Sequence, residues 1–202
     1  DRMVADGHDP LTASDSVLSL YADYYFEYDE QRRVVLETVK SGSQTYEFAY
    51  ETSNFADDYN HWRTKTTETL PDGHRNIVYS NYAGQVMLKV FQSGSDQWID
   101  FWLYDENAKP LLRAHPSAVT GYNDMLADLM NYDSGTGTFQ YLRDNDGLID
   151  VYTYHEPSGN VSSQGVQQGQ LGTVIFQQSM TYCQCGSDCG CDDSSSSSSS
   201  SS

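Results

Sequence analysis

The chain has 202 residues, and its 11 Lys and Arg against 29 Asp and Glu give a formal net charge of −18 at pH 7. Nucleic acids and anionic membranes are bound through dense Lys and Arg patches, so this charge predicts that neither is a partner. No apolar run approaches the ~18 residues of a membrane span. The aromatic share of 13% predicts a folded body, because disordered chains are poor in aromatic residues.

The composition changes along the chain in a way that predicts three parts. Residues 1–182 form the body. The four cysteines lie close together in a segment, 183–193, that we predict to be a Cys-rich hairpin, and residues 194–202 are all serine. A serine tract has nothing to bury, so we expect a disordered tail.

The body alternates between clusters of β-branched and aromatic residues and short turn sequences, which predicts an all-β fold. Asp-Gly and Ser-Gly dipeptides supply the turns. In chain order, the predicted strands are 20–28, 33–39, 45–50, 62–70, 75–79, 85–91, 98–104, 139–142, 148–154 and 173–177. Apolar residues at three-to-four spacing predict one short helix near 117–130. Residues 97–105 are almost all apolar, which is typical of a strand covered on both faces, with a buried helix as the alternative.

A tyrosine at a strand end, followed by an acidic residue or another turn residue, recurs through the body. Successive copies are 22 to 29 residues apart, as expected for an irregular β repeat. The residues involved are Tyr28 and Asp29, Tyr50 and Glu51, Tyr79, Tyr104 and Asp105, Tyr132 and Asp133, and Tyr154. At a turn, the tyrosine ring can pack on a neighbour while its hydroxyl stays in water, and the Asp can bond to backbone N–H groups. We therefore interpret the repeated pair as a structural device.

This unit resembles the Rhs/YD-repeat family, whose repeat is Tyr-Asp, two variable residues, Gly-Arg and an apolar strand. Residues 28–36 carry the resemblance best, although Arg32 stands at the position of the Gly. The copy that begins at Tyr104 keeps Tyr-Asp and loses Gly-Arg, and the copy that begins at Tyr154 keeps the Gly. The resemblance covers about residues 20–165.

The resemblance implies an array of repeated β-hairpins, either a strip or a segment of a hollow shell, that is secreted or lies at the cell surface. Six units are too few to close a shell, so we expect a segment flanked by further repeats of a longer chain. The self-cleavage motif of toxin-delivering members is absent, and autoproteolysis is not implied. The implied function is structural and non-enzymatic. The alternative is a carbohydrate- or ligand-binding module on the same scaffold, and other cell-surface proteins are further candidate partners.

The aromatic residues of one predicted strand suggest where such a ligand would bind. Trp98 and Trp102 lie on the same strand face, with Asp100 between them. Aromatic platforms bordered by carboxylates suit sugars, and we add Trp62 and Tyr104 to this candidate site. The alternative is that these rings fill the layer between strands.

The cysteines Cys183, Cys185, Cys189 and Cys191 would all face one side if residues 186–188 form a turn. Two disulfides, a zinc site of four thiolates and free thiols are the open alternatives. Residues 144–150, with Asp144, Asp146 and Asp150, resemble part of a calcium loop or form an ordinary turn.

No sequence feature indicates catalysis. A Gly-x-Ser-x-Gly nucleophile motif is absent, and the five histidines are scattered without metal-ligand spacing. We therefore predict that the chain is not an enzyme and needs no cofactor, apart from the metals considered above.

Overall fold

The computed structural model describes residues 2–156 and 158–180. Its elements are α1 (Arg2–Ala5), α2 (Asp15–Leu18), β1 (Tyr24–Tyr28), β2 (Val34–Val39), β3 (Gln44–Thr52), β4 (Thr64–Thr69), β5 (Arg75–Ser80), β6 (Val86–Ser93), β7 (Asp96–Tyr104), β8 (Pro110–Ala114), β9 (Tyr132–Asp133), β10 (Thr138–Phe139), β11 (Leu148–Tyr154), β12 (Val161–Gln168) and β13 (Val174–Ser179). The all-β prediction is confirmed. Neither helix is long and apolar enough to cross a bilayer, and no other helix occurs in the described residues.

Eleven strands form one antiparallel sheet in the order β1-β2-β3-β4-β5-β6-β7-β8-β11-β12-β13, while β9 pairs only with β10. Each strand therefore lies beside the next one in the chain, as in a simple meander. The one long interruption is residues 115–147, which we call the insertion. It contains β9 and β10 and connects β8 to β11.

One face of the sheet carries the core. Side chains alternate between the faces of a strand, and directly opposed residues share a face. Leu88, Phe101, Ala114 and Ile149 are opposed in this way on four neighbouring strands, and all four are buried. The insertion and the 53–63 loop cover this face with a second apolar layer, formed by Trp62, Ala118, Val119, Leu129, Met130, Phe139 and Leu142.

The opposite face of the sheet, which we call the open face, has no such cover in the described residues. Lys89 on β6 is opposed to Asp100 on β7 there, and Arg113 on β8 is opposed to Trp102 on β7 and to Asp150 on β11. Lys89 is exposed and the other four are half-buried. The prediction that residues 97–105 are covered on both faces is therefore wrong, because only one face of β7 is buried.

The predicted helix near 117–130 is absent, and turns with one isolated bridge, from Val119 to Leu142, occupy this segment. Its buried residues Ala118, Val119, Leu129 and Met130 instead cover the sheet, which needs no regular backbone, while Met125 is 80% exposed. Leu129 has a φ of 63°, a left-handed conformation that ends any right-handed helix. The apolar spacing is real, and it serves an irregular covering segment.

Two strands of the main sheet were not predicted. Strand β12 has the sequence VSSQGVQQ, whose polar residues give no alternating pattern, and β8 is short and begins with Pro110. Each of them forms because it pairs with a neighbouring strand along both of its edges. Of the strand predicted at 139–142, only Phe139 lies in a strand, the two-residue β10.

Four turns share one geometry. These are the turns at 29–33, 70–74, 81–85 and 105–109. In each, the N–H of the first residue donates to the carbonyl of the fifth, and the N–H of the fourth residue donates to the carbonyl of the first. The fourth residues, Arg32, Gly73, Gly84 and Ala108, all have positive φ. This is the three-residue hairpin loop with a bulge, in which glycine is favoured at the left-handed position.

Replacing the two left-handed residues that carry a side chain should stabilise the protein. A non-glycine residue in this conformation costs ~1–2 kcal/mol, and glycine recovers part of that after its larger unfolded-state entropy is subtracted. We expect Ala108→Gly and Arg32→Gly each to raise the free energy of unfolding by about 0.5–1 kcal/mol in urea titrations.

The control is Ala83→Gly, in the corresponding turn at 81–85 but at a residue without positive φ. It should be neutral or destabilising by up to about 1 kcal/mol. Equal shifts for all three variants would contradict the turn assignment.

Candidate functional site

A tyrosine hydroxyl joins neighbouring units of the sheet in three places. The hydroxyls of Tyr50, Tyr104 and Tyr154 donate to the carbonyls of Val34, Val86 and Pro110, at 2.7, 2.7 and 2.6 Å. Each acceptor is the first residue of a strand and directly follows one of the turns at 29–33, 81–85 and 105–109. We call this contact the tyrosine clamp.

The last residue of each of these turns also reaches the next unit. The Arg33 guanidinium lies 4.3 Å from the ring centroid of Tyr50, and the Lys109 ammonium lies 5.1 Å from that of Tyr154. Both are cation–π contacts. At the same position in the 81–85 turn, Gln85 donates its side-chain amide to the carbonyl of Ala108. Each of these three turns thus contacts a neighbouring part of the sheet in two ways: through the backbone carbonyl that follows the turn and through the side chain of its last residue.

The first residue of each of the three turns bonds to the backbone of its own turn. Asp29 accepts the N–H of Arg33 at 2.9 Å, and Asp105 accepts the N–H of Lys109 at 2.8 Å. Asn81 does the same with Gln85 at 3.0 Å. The backbone N–H of Arg33, followed by its guanidinium, lowers the pKa of the Asp29 carboxyl. The stabilisation from that carboxylate is therefore present at neutral pH and is lost as pH falls through the lowered pKa.

Two of the predicted repeat tyrosines depart from the turn pattern. Tyr79 lies two residues before Asn81 and is buried in the core, where its ring packs edge-on against Trp62 and its hydroxyl contacts Asp124 at 3.2 Å. Burial raises the pKa of Tyr79. Tyr50 makes a clamp, but it lies within β3 and precedes a long loop instead of a tight turn.

The remaining predicted pairs lie at hairpin ends. Tyr132 and Asp133 form β9 in the insertion, where Asp133 accepts the N–H of Gly135 at 2.8 Å. Glu51 forms an ion pair with Lys65 at 2.9 Å. Tyr28 ends β1, the outermost strand; its side chain is 60% exposed, and its hydroxyl has no hydrogen-bond partner in the described residues.

The open face brings aromatic and charged residues together. Trp98 is 47% exposed, and its ring centroid lies 5.7 Å from that of Phe91. Trp102 is half-buried beneath the guanidinium of Arg113, at 5.2 Å. Arg113 in turn pairs with Asp100 at 2.8 Å. The result is a surface with rings on both sides of an ion pair.

A histidine extends this network across the sheet. His115 Nε2 lies 2.9 Å from a carboxylate oxygen of Asp150, and Nδ1 lies 3.9 Å from one of Asp100. Arg113 and His115 were not predicted as site residues, and Asp150 was predicted only as part of a calcium loop. No sequence feature indicated this network, because β8, the strand that carries Arg113, was not predicted. Only strand pairing places β8 between β7 and β11.

Neither Trp62 nor Tyr104 offers an accessible ring on the open face. Trp62 is 7% exposed and packs against Phe55 and Tyr79, and Tyr104 is buried as a clamp tyrosine. Of the four aromatic residues predicted to bind a ligand, only Trp98 and Trp102 lie on one accessible surface.

The predicted calcium residues have other partners. Asp144 accepts an amide hydrogen bond from Gln170, Asp146 accepts the N–H of Gly147, and Asp150 binds His115. Residues 2–156 and 158–180 contain no group of three His, Cys, Asp or Glu arranged to hold a metal. The four cysteines lie outside the described residues, so the disulfide and zinc alternatives stay predictions.

The chain matches no protein-family model and no curated protein. The resemblance to Rhs/YD repeats therefore rests on the repeated residues themselves.

Removing a clamp hydroxyl should weaken the sheet. We expect Tyr104→Phe and Tyr154→Phe to lower the free energy of unfolding by about 1–2 kcal/mol each, because a carbonyl loses its donor. The loss should be larger for Tyr104, which is more deeply buried. Urea unfolding at neutral pH measures both.

The matched control is Tyr28→Phe, at the same repeat position but without a bonded carbonyl. It should change stability by less than about 0.5 kcal/mol. A comparable loss in Tyr28→Phe would show that the hydroxyl bonds are not the cause.

Proposed function

We propose that this chain is a non-enzymatic structural segment of a longer β-hairpin array, secreted or at the cell surface, whose flanking repeats continue its sheet. The location rests on the resemblance to Rhs/YD repeats. The architecture supports the rest: the tyrosine clamp recurs in the same register in three places, so each unit is built to hold the next.

The observation that carries this proposal is the state of the outer strand β13. Val174, Ile175 and Phe176 are 51%, 58% and 55% exposed, and their side chains alternate between the two faces. The strand contains no charged residue, and its outer edge is unpaired in the described residues. Natural sheets protect such edges with charges, prolines or covering segments. A flanking strand would pair this edge and bury its apolar side chains.

The other outer strand is also incomplete as part of an array. Tyr28 ends β1 at the clamp position and has neither a bonded carbonyl nor a cation over its ring in the described residues. A preceding repeat would supply both, as the turns at 29–33 and 105–109 do for Tyr50 and Tyr154.

The uncovered edge should make the isolated chain associate. We expect concentration-dependent association in sedimentation velocity, measured with reductant so that cysteines do not link chains. Added salt should strengthen it, because salt screens the repulsion between chains of charge −18. Ile175→Lys should weaken it by at least about tenfold, since a lysine on an edge strand opposes pairing.

Leu111→Lys provides the control, because Leu111 is an exposed apolar residue, 37% accessible, in the internal strand β8. It should leave association unchanged. A wild-type chain that stays monomeric at every concentration, or equal effects of the two lysines, would contradict the proposal.

A second candidate function is carbohydrate binding on the open face. Trp98 and Trp102 are four residues apart on one strand, which puts them about 13 Å apart along the sheet. Asp100 and Arg113 lie between them and offer hydrogen-bond acceptors and donors. Rings that stack on sugar faces, with polar groups between them, suit a short oligosaccharide.

Trp98→Ala separates the two functions. If the open face binds sugars, the variant should lower affinity for glycan-array hits by about tenfold or more, because a stacking surface is lost. Tyr24→Ala is the control, since Tyr24 is 68% exposed on the distant strand β1. Absence of glycan binding, or binding that Trp98→Ala does not change, would remove this candidate.

A further inference from the structure

A cavity of about 700 Å³ lies on the covered side of the sheet, where the insertion leaves β7 and β8 partly uncovered. Its floor is apolar and is formed by Leu103, Leu112 and Phe139. Tyr132 forms part of the wall and packs against Phe139 with ring centroids 4.9 Å apart. The volume is in the range that holds small molecules. The cavity is separate from the open face, because Leu103 and Leu112 point away from Trp102 and Arg113.

Amides, a carboxylate and an imidazole line this cavity, and the NH2 groups of Asn60, Asn131 and Gln170 already donate to acceptors of the protein. The Asp128 carboxylate lines it, and His61 lines it with one ring nitrogen already used. His61 Nδ1 lies 3.0 Å from the carbonyl of Ala56, and a carbonyl can only accept, so Nδ1 carries the proton. In the neutral ring, Nε2 is then an acceptor. No residue lining the cavity is Lys or Arg.

The wall that carries Asp128 is held in a defined conformation. The two carboxylate oxygens of Asp128 accept hydrogen bonds from the N–H groups of Asn131 and Tyr132, at 3.1 and 2.6 Å. Leu129 and Asn131 both have left-handed backbones, with φ of 63° and 53°, although neither is glycine. Strained backbone of this kind clusters at ligand sites, where the surrounding structure enforces it. The carboxylate is thus fixed in place before any ligand arrives.

We infer that this cavity binds a small amphipathic amine, with an aromatic or aliphatic body on the Leu103, Leu112 and Phe139 floor and an ammonium group at Asp128. The apolar floor favours an apolar body in the ligand. A carboxylate in a lining without a basic residue, in a protein of charge −18, favours a cationic group over an anionic one. The same charge opposes binding of carboxylate ligands of the same shape.

Three ligands of one shape test the charge selection. We expect 2-phenylethylammonium to bind with a Kd below about 1 mM, a range suited to so small a ligand. 2-Phenylethanol should bind at least about fivefold more weakly and 3-phenylpropionate at least about tenfold more weakly. Titrations followed in ¹H–¹⁵N NMR spectra give the affinities and show whether the shifted amides surround the cavity.

Two variants test the location. Asp128→Asn should weaken the amine by at least about fivefold and leave 2-phenylethanol unchanged, since only the charge is removed. Ala127→Leu fills the cavity without touching a polar group, and it should weaken all three ligands; it keeps the test decisive if Asp128→Asn fails to fold. Asp72→Asn, in the distant 70–74 turn, removes the same charge and should change nothing.

Several results would overturn the inference. Equal affinities for the three ligands would show that charge is not selected. Shifted amides on the open face, or amine binding that neither cavity variant weakens, would place the site elsewhere. Absence of binding by all three ligands would show that the cavity is not a site for this class.

Discussion

The hydrogen bond from a tyrosine hydroxyl to the first carbonyl of the neighbouring strand is the contact on which this sheet depends. A sheet of eleven strands is stable only if each strand keeps its register, because a slip of one residue turns every side chain to the opposite face. The turns at 29–33, 81–85 and 105–109 set the register within a hairpin through their left-handed fourth residue. The clamp adds a fixed contact between β2 and β3, β6 and β7, and β8 and β11, and the apolar residues of the strands decide which face becomes the core.

Strand register alone does not form a hydrophobic core. On the covered face, the segments that connect the strands complete the core. The insertion and the 53–63 loop place a second apolar layer over the rows of buried strand residues. This solution has a cost at one polar group. Trp62 Nε1 is buried without a partner in the described residues, which opposes folding by about 1–3 kcal/mol. The ring nevertheless remains buried, because Phe55 and Tyr79 pack against it.

The features that local chemistry determines could be predicted from the sequence, and those that depend on distant pairing could not. Tyr104 predicts a strand end and Asp105 predicts a turn from the properties of their own side chains, and the structure places them there. Strand β12 is polar, and only its two neighbours make it a strand. The apolar spacing at 117–130 fits a helix and a covering loop equally well, and tertiary contacts such as the Val119–Leu142 bridge and the hydrogen bond from the N–H of Trp62 to the carbonyl of Ala127 accompany the loop. The network of Asp100, Arg113, His115 and Asp150 needs three strands and a loop to meet, so no local pattern contains it.

The two outer strands differ in charge, which bears on how the proposed array would continue. Glu27 lies in β1 and Asp23 and Asp29 flank it, whereas β13 has no charge at all. In two of the three clamps, a cation from the preceding turn lies over the tyrosine of the next strand, as Arg33 does over Tyr50 and Lys109 over Tyr154. A repeat placed before β1 would bring such a cation to an acidic edge, where opposite charges attract. A second β1 edge would instead be repelled. The acidity of this edge therefore favours a flanking turn that carries a basic residue, while the uncharged β13 favours an apolar strand.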